Sequence, residues 1–265
     1  MRRSFLALLH FDGTGFLGWQ RQAAGRTVQA ELETVLERLT GAPVKATAAG
    51  RTDAGVHALG LATSFLMPER WHAPEVRRAL NALLPADVWV ADVREMRAGF
   101  HARREAESRR YRYQIGCDAA AESPFRRRFE WPLGRPLDLP ALARCAAVIA
   151  GEHDFRAFAA KGEPKPHYRC DVREARWEPR GDGTGLVLHI EADRFLHHMV
   201  RLLVGTMADV ALGRRPADDM AELLTRRDNS ATSPPAPPQG LYFVAARYPD
   251  ACYAPTGGPQ MAEVA

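Results

Sequence analysis

The fold turns on one stretch, Val44-Lys45-Ala46-Thr47-Ala48-Ala49, then Gly50-Arg51-Thr52-Asp53-Ala54-Gly55-Val56-His57, then Leu61-Ala62-Thr63-Ser64-Phe65-Leu66. Alternating residues mark Val44–Ala49 and Leu61–Leu66 as strands. Between them, two glycines bracket Arg-Thr-Asp, which suits a tight loop presenting one carboxylate. Outward from this pair, Ser4 to His10 reads as a first strand followed by a glycine-rich loop. A helix is expected from Val28 to Leu39, with Val28, Leu32, Val35, Leu36 and Leu39 on one face and Thr27 as N-cap. A second helix, opened by Pro74, turns Val76, Ala79, Leu80, Leu83 and Leu84 inward, and Val88–Val93 closes this part as a strand.

The later sequence repeats the order. Arg109–Ile115 alternates as a strand, and a helix at Leu139–Ala150 follows Asp138. Strands are expected at Val172–Trp177 and Leu186–Ile190, joined through Gly181-Asp182-Gly183. A long helix from Phe195 to Leu212 stops at Gly213, and a shorter one after Pro216 buries Met220, Leu223 and Leu224. Pro234 to Pro238 is a stiff lead into a last strand, Leu241–Tyr248. The fold class is α+β: two tandem β-α-β-β-α-β halves with helices packed on a mainly antiparallel sheet. The expected division is residues 1–105, which carry the Asp53 loop, residues 106–249, and a disordered tail at 250–265.

At 265 residues and 46% hydrophobic, the chain has material for a full core, and no apolar run approaches a membrane span. Met1-Arg2-Arg3 before Phe5–Leu9 superficially resembles a signal peptide, but the apolar run breaks at His10 without a cleavage site. Cys117, Cys145, Cys170 and Cys252 are scattered, which fits a reducing, cytoplasmic setting with neither disulfide framework nor zinc site. The net charge is +4, and the window from His101 to Arg128 carries all of it: Arg103, Arg104, Arg109, Arg110, Arg112, Arg126, Arg127 and Arg128 oppose four acids. Such a basic stripe on a neutral body suits a polyanionic partner. The 33 arginines against three lysines carry no weight, since base composition produces such a bias.

Taken singly, the residues that could carry chemistry have plain structural readings. Asp53 closes an Asx-turn, Tyr111 is a core aromatic of a strand, Arg201 sits on a solvated helix face, and Leu241 opens a strand as core. The order of motifs is what changes these readings. Gly50 through Ala58 resembles the catalytic loop of the tRNA pseudouridine synthase A family. Phe11-Asp12-Gly13-Thr14-Gly15-Phe16-Leu17-Gly18-Trp19-Gln20-Arg21-Gln22 is similar to that family's first signature, with Phe11 where tyrosine is usual. Phe100–Arg103 with Arg109–Tyr113, Gly151–Phe155, Phe195–Arg201, and Pro237–Leu241 with Tyr248-Pro249 resemble further motifs, in the family's order. Lys161–Tyr168 is a weaker match.

This resemblance implies isomerisation of uridine to pseudouridine at positions 38, 39 and 40 of the tRNA anticodon arm, with no cofactor and no metal. It implies Asp53 as nucleophile, with Arg51, Tyr111, Arg201 and Leu241 binding the substrate. It also implies a homodimer. Each role makes physical sense: a carboxylate can form a covalent intermediate, a tyrosine ring can stack under an extruded base, and a mid-helix Arg201 facing the core would need a carboxylate partner.

Two rivals remain. A non-catalytic tandem RNA-binding module would share the topology, but gives Asp53 no purpose. An Asp-dependent phosphohydrolase would need a second carboxylate near Asp53 and magnesium ligands. His197-His198 does not read as a metal pair, because neighbours on a helix point about 100° apart. Trp19, Gln20 and Arg21 are readable as part of an RNA path, and Trp19 equally as a core tryptophan. His57 and His153 have no assigned role.

Overall fold

The structure is a computed structural model and describes residues 2–160 and 167–255. The chain divides into two compact units. Unit 1 is Met1–Arg109 with Phe243–Ala265, and unit 2 is Arg110–Tyr242. The described residues form an α+β protein with five α-helices and mostly antiparallel pairing.

In unit 1, β1 (Arg2–Phe11) lies between β3 (His57–Pro68) and β4 (Val88–Met96), antiparallel to both. Phe5 stands opposite Phe65, their rings 6.2 Å apart. Helix α1 spans Val28–Thr40, with the Thr27 side chain accepting from Ala30 N–H and left-handed Gly41 ending it. Helix α2 (Ala73–Leu83) opens at His72, whose N–H donates to Glu75. Leu32, Leu36 and Leu80 from these helices are fully buried with Phe5, Leu9, Leu61 and Met67. Such burial is the main stabilising term of the unit. Asn81 fastens α2 to β4, accepting from Val90 N–H (2.7 Å) and donating to Val90 C=O (2.9 Å).

Strand β2 shrinks from the expected Val44–Ala49 to Thr47–Ala48, which pairs with β3 at Ser64 and Thr63. The reason is local: Ala46 N–H donates to Glu33 and Ala46 C=O accepts from Gln29, so α1 side chains take the groups a ladder would use.

In unit 2, β5 (Ser108–Gly116), β9 (Gly185–Ala192), β8 (Arg169–Pro179) and β7 (Gly151–Asp154) are neighbours in that order. Short β6 (Trp131–Pro132) runs parallel to the end of β5. Helix α3 (Leu139–Val148) is capped by Asp138, which accepts from Ala141 N–H. Helix α4 is Met199–Ala211 and α5 is Asp219–Thr225. Trp177 of β8 donates to the Met207 sulfur of α4. Of the residues expected inward on α5, Met220 and Leu223 are buried and Leu224 is only half-buried. β10 (Leu241–Arg247) begins in unit 2 and continues into unit 1 beside β3.

In unit 1 the order β1-α1-β2-β3-α2-β4 is followed, after unit 2, by most of β10, whereas unit 2 runs β5-β6-α3-β7-β8-β9-α4-α5. The expected helix start at Phe195 is corrected to Met199. Asp193 exchanges backbone and side-chain bonds with Asp171 of β8, His197 C=O accepts from Ala160 N–H, and His198 is left-handed at φ 62°. The bond from Ala160 takes a carbonyl that a longer helix would need, and the Asp193–Asp171 pair holds the preceding chain on β8. The expected tail disorder is also corrected over its first residues, because Asp250–Cys252 forms a 3-10 turn and Tyr253 bridges to Met96. Residues 256–265 and most of the weak motif at Lys161–Tyr168 lie outside the described residues.

Candidate active site

Asp53 sits half-buried on the loop between β2 and β3, with Arg51 exposed beside it. The loop is fixed by the turn at residues 12–19. Trp19 N–H donates to Thr52 C=O (3.1 Å), Gly55 N–H donates to Phe16 C=O (3.3 Å), and Val56 N–H closes a turn onto Asp53 C=O (3.2 Å). The two segments touch backbone to backbone. A Cβ on Gly13 would stand 2.1 Å from Val56 C=O, and one on Gly18, whose φ is +87°, would stand 2.4 Å from Thr52 C=O. Thr52 is buried, and its hydroxyl has no hydrogen-bond partner among the described residues.

His57, buried where the loop enters β3, accepts from Gly13 N–H at Nδ1 (3.0 Å). A backbone N–H can only donate, so this nitrogen is the unprotonated one and the tautomer is fixed. Asp12 Oδ1 stands 3.4 Å from the same nitrogen and also accepts from Thr14 N–H and hydroxyl.

The rest of the first motif braces this clamp. Gln29 of α1 accepts from Arg21 N–H and from the Gln20 side chain, both at 2.9 Å, and Arg21 Nε pairs with Glu33 at 2.9 Å. Glu33 and Gln29 are the same side chains that hold Ala46, just before the Asp53 loop. Trp19 is 2% exposed, so its core reading holds. The glycines and His57 were quoted as motif in the sequence, but their clamping role was not legible there, since it depends on which backbones meet.

Tyr111, Arg201 and Leu241 belong to unit 2. Tyr111 is buried on β5, edge-on to Phe195 with centroids 5.0 Å apart. Tyr113 shares that face of β5, as residues two apart do. Its hydroxyl donates to Pro237 C=O (2.8 Å), and burial pushes its phenol well above the usual value. Arg201 lies in the first turn of α4 rather than mid-helix, a consequence of the later helix start. Its Nε donates to Ala236 C=O (2.7 Å), and Ala236 N–H returns a bond to Arg201 C=O (2.9 Å). The 3-10 turn Pro238–Gly240 then delivers buried Leu241 to the start of β10. One proline-rich segment thus links Arg201, Tyr113 and Leu241, and Tyr113 is the member that the sequence reading did not single out.

The basic stripe proves discontinuous. Arg109 donates to the carbonyls of Ala49 and Ala106. Arg110 pairs with buried Glu191 at 2.9 Å, and Arg112 stacks over Tyr242, its guanidinium pushed down by burial. Arg126 pairs with Asp118 and Glu130. Arg103, Arg104, Arg127 and Arg128 are exposed. His197 and His198 precede α4 instead of lying on it, their rings 4.0 Å apart, so the helical-spacing argument against a shared ion does not apply to them. His153 contacts Ala150 C=O through Nε2 (2.8 Å).

A family model described as "tRNA pseudouridine synthase" matches residues 7–103 and 146–249. Arg51, Asp53, Arg201 and Leu241 fall inside those spans, and Tyr111 falls between them. The tRNA pseudouridine synthase A of Myxococcus xanthus is 41% identical over 94% of this chain and 94% of its own length. That of Thermus thermophilus is 42% identical over 94% and 98%, and that of Acidiphilium cryptum 43% over 94% and 97%. The chain therefore belongs to the tRNA pseudouridine synthase family. It is an enzyme of the isomerase class, and these three relatives share one name, tRNA pseudouridine synthase A. No helix among the described residues is long and apolar enough to cross a membrane.

Proposed function

We propose that this enzyme converts uridine to pseudouridine at positions 38, 39 and 40 of the tRNA anticodon arm, with Asp53 as nucleophile. The observation that carries the reading is the clamp on the Asp53 loop, held through Thr52, Gly55 and Gly13 inside the span matched to the family. A carboxylate on a loop whose backbone cannot drift is suited to attack, because nucleophilic catalysis demands a preset geometry. In the reaction the C1′–N1 bond breaks, the uracil turns, and C1′ bonds to C5. The proton leaves C5, N1 ends protonated, and no electrons are exchanged.

Tyr111, on the rigid face of β5, stacks under the target base. Arg51 and Arg201 bind the substrate around it, and Leu241 packs against the uracil. Neither metal nor cofactor takes part. The enzyme acts as a cytoplasmic homodimer built of two modified β-α-β-β-α-β halves, the element order of unit 1 being the support for that plan.

The test uses unmodified tRNA transcript, with pseudouridine mapped by carbodiimide treatment and primer extension. Stops at 38, 39 and 40, in chelator as without it, are expected for the wild type. None are expected for Asp53→Asn, which still binds the RNA. Stops elsewhere in the tRNA would sink the substrate assignment, and modification by Asp53→Asn would sink the nucleophile. An isotopically labelled adduct at Asp53 separates attack on uracil C6 from attack on the sugar.

A further inference from the structure

The turn from His101 to Glu105 belongs to unit 1 and joins β4 to β5, and each of its five backbone N–H groups donates a hydrogen bond. His101 N–H donates to Glu105 (2.8 Å), and Ala102 N–H to the Ser64 hydroxyl of β3 (3.1 Å). Arg103 N–H reaches Nδ1 of the His101 ring (3.3 Å). The N–H groups of Arg104 and Glu105 donate to His101 C=O at 3.1 and 3.2 Å. From the other side, the Tyr248 hydroxyl donates to Ala102 C=O (2.8 Å), and Phe100 stands edge-on to the Tyr248 ring at 5.2 Å.

One side chain connects this turn to the Asp53 loop. Arg109 spreads its guanidinium over three carbonyls: Nη2 donates to Arg103 C=O, Nη1 to Ala106 C=O (2.7 Å) and Nε to Ala49 C=O (3.2 Å). Ala49 directly follows β2 and leads into Gly50-Arg51-Thr52-Asp53. The turn and the start of the catalytic loop are therefore one guanidinium apart.

What the turn presents outward is a pair of cations. Arg103 and Arg104 are exposed, and among the described residues neither side chain makes a hydrogen bond or an ion pair. The acid nearest in sequence, Glu105, is engaged by Arg97, by His101 N–H and by the Cys252 thiol. Exposed Glu107 pairs with neither arginine. Surface arginines on an unanchored loop are ordinarily just solvated, because ordering them for a partner costs backbone and side-chain entropy. Here the backbone is fixed before any ligand arrives, so a phosphate meeting the two guanidiniums has only side chains to order. An enzyme that turns a base out of its stack must also hold the backbone on either side of that nucleotide, and phosphate contacts are what fix such a register. Guanidinium forks suit that task.

We propose that Arg103 and Arg104 form a phosphate-binding pair that grips the backbone of the substrate tRNA beside the nucleotide presented to Asp53. This rests on the reading of tRNA as substrate given above.

The test compares wild type with Arg103→Ala/Arg104→Ala and Arg103→Lys/Arg104→Lys. A charge-matched control, Arg38→Ala/Arg78→Ala, removes two exposed arginines from α1 and α2 of the same unit. Binding to unmodified tRNA transcript is measured by fluorescence anisotropy across a salt series. Single-turnover pseudouridine formation is followed against enzyme concentration, and the oligomeric state by sedimentation. The alanine pair should lower the slope of log K against log salt by about 1.4–1.8, for two lost phosphate contacts, so its loss of affinity at 50 mM salt exceeds that at 200 mM about tenfold. The same loss should appear in the enzyme concentration that gives half the maximal rate. The lysine pair should keep the wild-type slope, since an ammonium still neutralises a phosphate, and the control should keep slope and affinity. An alanine pair that binds with wild-type slope and affinity overturns the proposal. So does a control that loses as much, because net charge alone would then be the cause. A sedimentation coefficient changed in the alanine pair overturns it in favour of a contact between copies. Wild type that neither binds nor modifies tRNA would instead overturn the substrate reading beneath it.

Discussion

Replacing Gly18 with alanine tests whether the 12–19 turn holds the Asp53 loop in place. The new Cβ would stand 2.4 Å from Thr52 C=O, 3.0 Å from the Asp53 carbonyl carbon and 3.2 Å from Ala54 N. Ordinary contact begins at 3.4 Å, so one backbone must retreat by about 1 Å. All three contacts are backbone, so no side chain can swing away to relieve them. Displacing a catalytic group by that much costs on the order of 100-fold in rate. The positive φ adds about 1–2 kcal/mol of instability for any L-residue with a Cβ.

Gly41 separates the two effects. Its φ is +77°, yet a Cβ there meets nothing within 4 Å. Gly41→Ala should therefore lose about 1 kcal/mol in urea denaturation and keep its rate. Gly18→Ala should lose at least as much stability and about 100-fold in single-turnover pseudouridine formation. A folded Gly18→Ala within a few-fold of wild-type rate refutes the clamp. So does equal damage to activity from Gly41→Ala.

Three further outcomes follow from the packing. Tyr113→Phe removes the donor to Pro237 C=O and should lower stability by about 1 kcal/mol in urea denaturation, the usual net value of one hydrogen bond. Arg110→Ala takes a close ion-pair partner from Glu191, which is 5% exposed, and should cost about 3 kcal/mol; adding Glu191→Leu should restore part of that, and a double variant worse than the single would count against the pairing. Burial raises the Cys145 thiol to about 11 from 9.0 and lifts the Tyr113 phenol well above 10.0. The unfolded chain then releases these protons first, so stability is intact below pH about 9 and falls as pH rises beyond it. A denaturation series from pH 8 to 11 should show that fall, and Cys145→Ala should flatten its early part.

Local chemistry made much of the fold readable. Thr27 and Asp138 cap α1 and α3 where their side chains predict, and the strands expected at Ser4–His10, Leu61–Leu66 and Arg109–Ile115 form within β1, β3 and β5, although β1 and β3 bury continuous runs instead of alternate residues. The misreadings occur where distant groups compete for the backbone. Ala46 gives its N–H and C=O to α1 side chains instead of a strand, and Asp171 captures Asp193 before α4 can begin. No window of sequence carries that competition. Strand β7 is too short for a period of two to register.

For the site, the pattern around Asp53 was legible as a loop presenting a carboxylate. The reason its neighbouring motif needs glycine at two of its three glycine positions was not, because Gly13 and Gly18 are required by contacts with residues some 35–45 positions away. Within the arginine stripe, Arg109, Arg110, Arg112 and Arg126 are engaged within the protein, a fact set by partners such as Glu191 and Asp118 rather than by charge order.

The division of the chain also bears on how it is made. Unit 2 is one uninterrupted segment, and its last residue is Tyr242. Unit 1 is assembled from both flanks, and it still needs Phe243 onward to complete β10 and to bring the Tyr248 hydroxyl to Ala102 C=O. During synthesis, the segment translated first therefore waits, with the β3 edge open, until the one inserted into it has wholly emerged. A ribosome stalled before residue 243 would release a nascent chain whose inserted unit is complete in sequence and whose outer unit, the bearer of Asp53, is not.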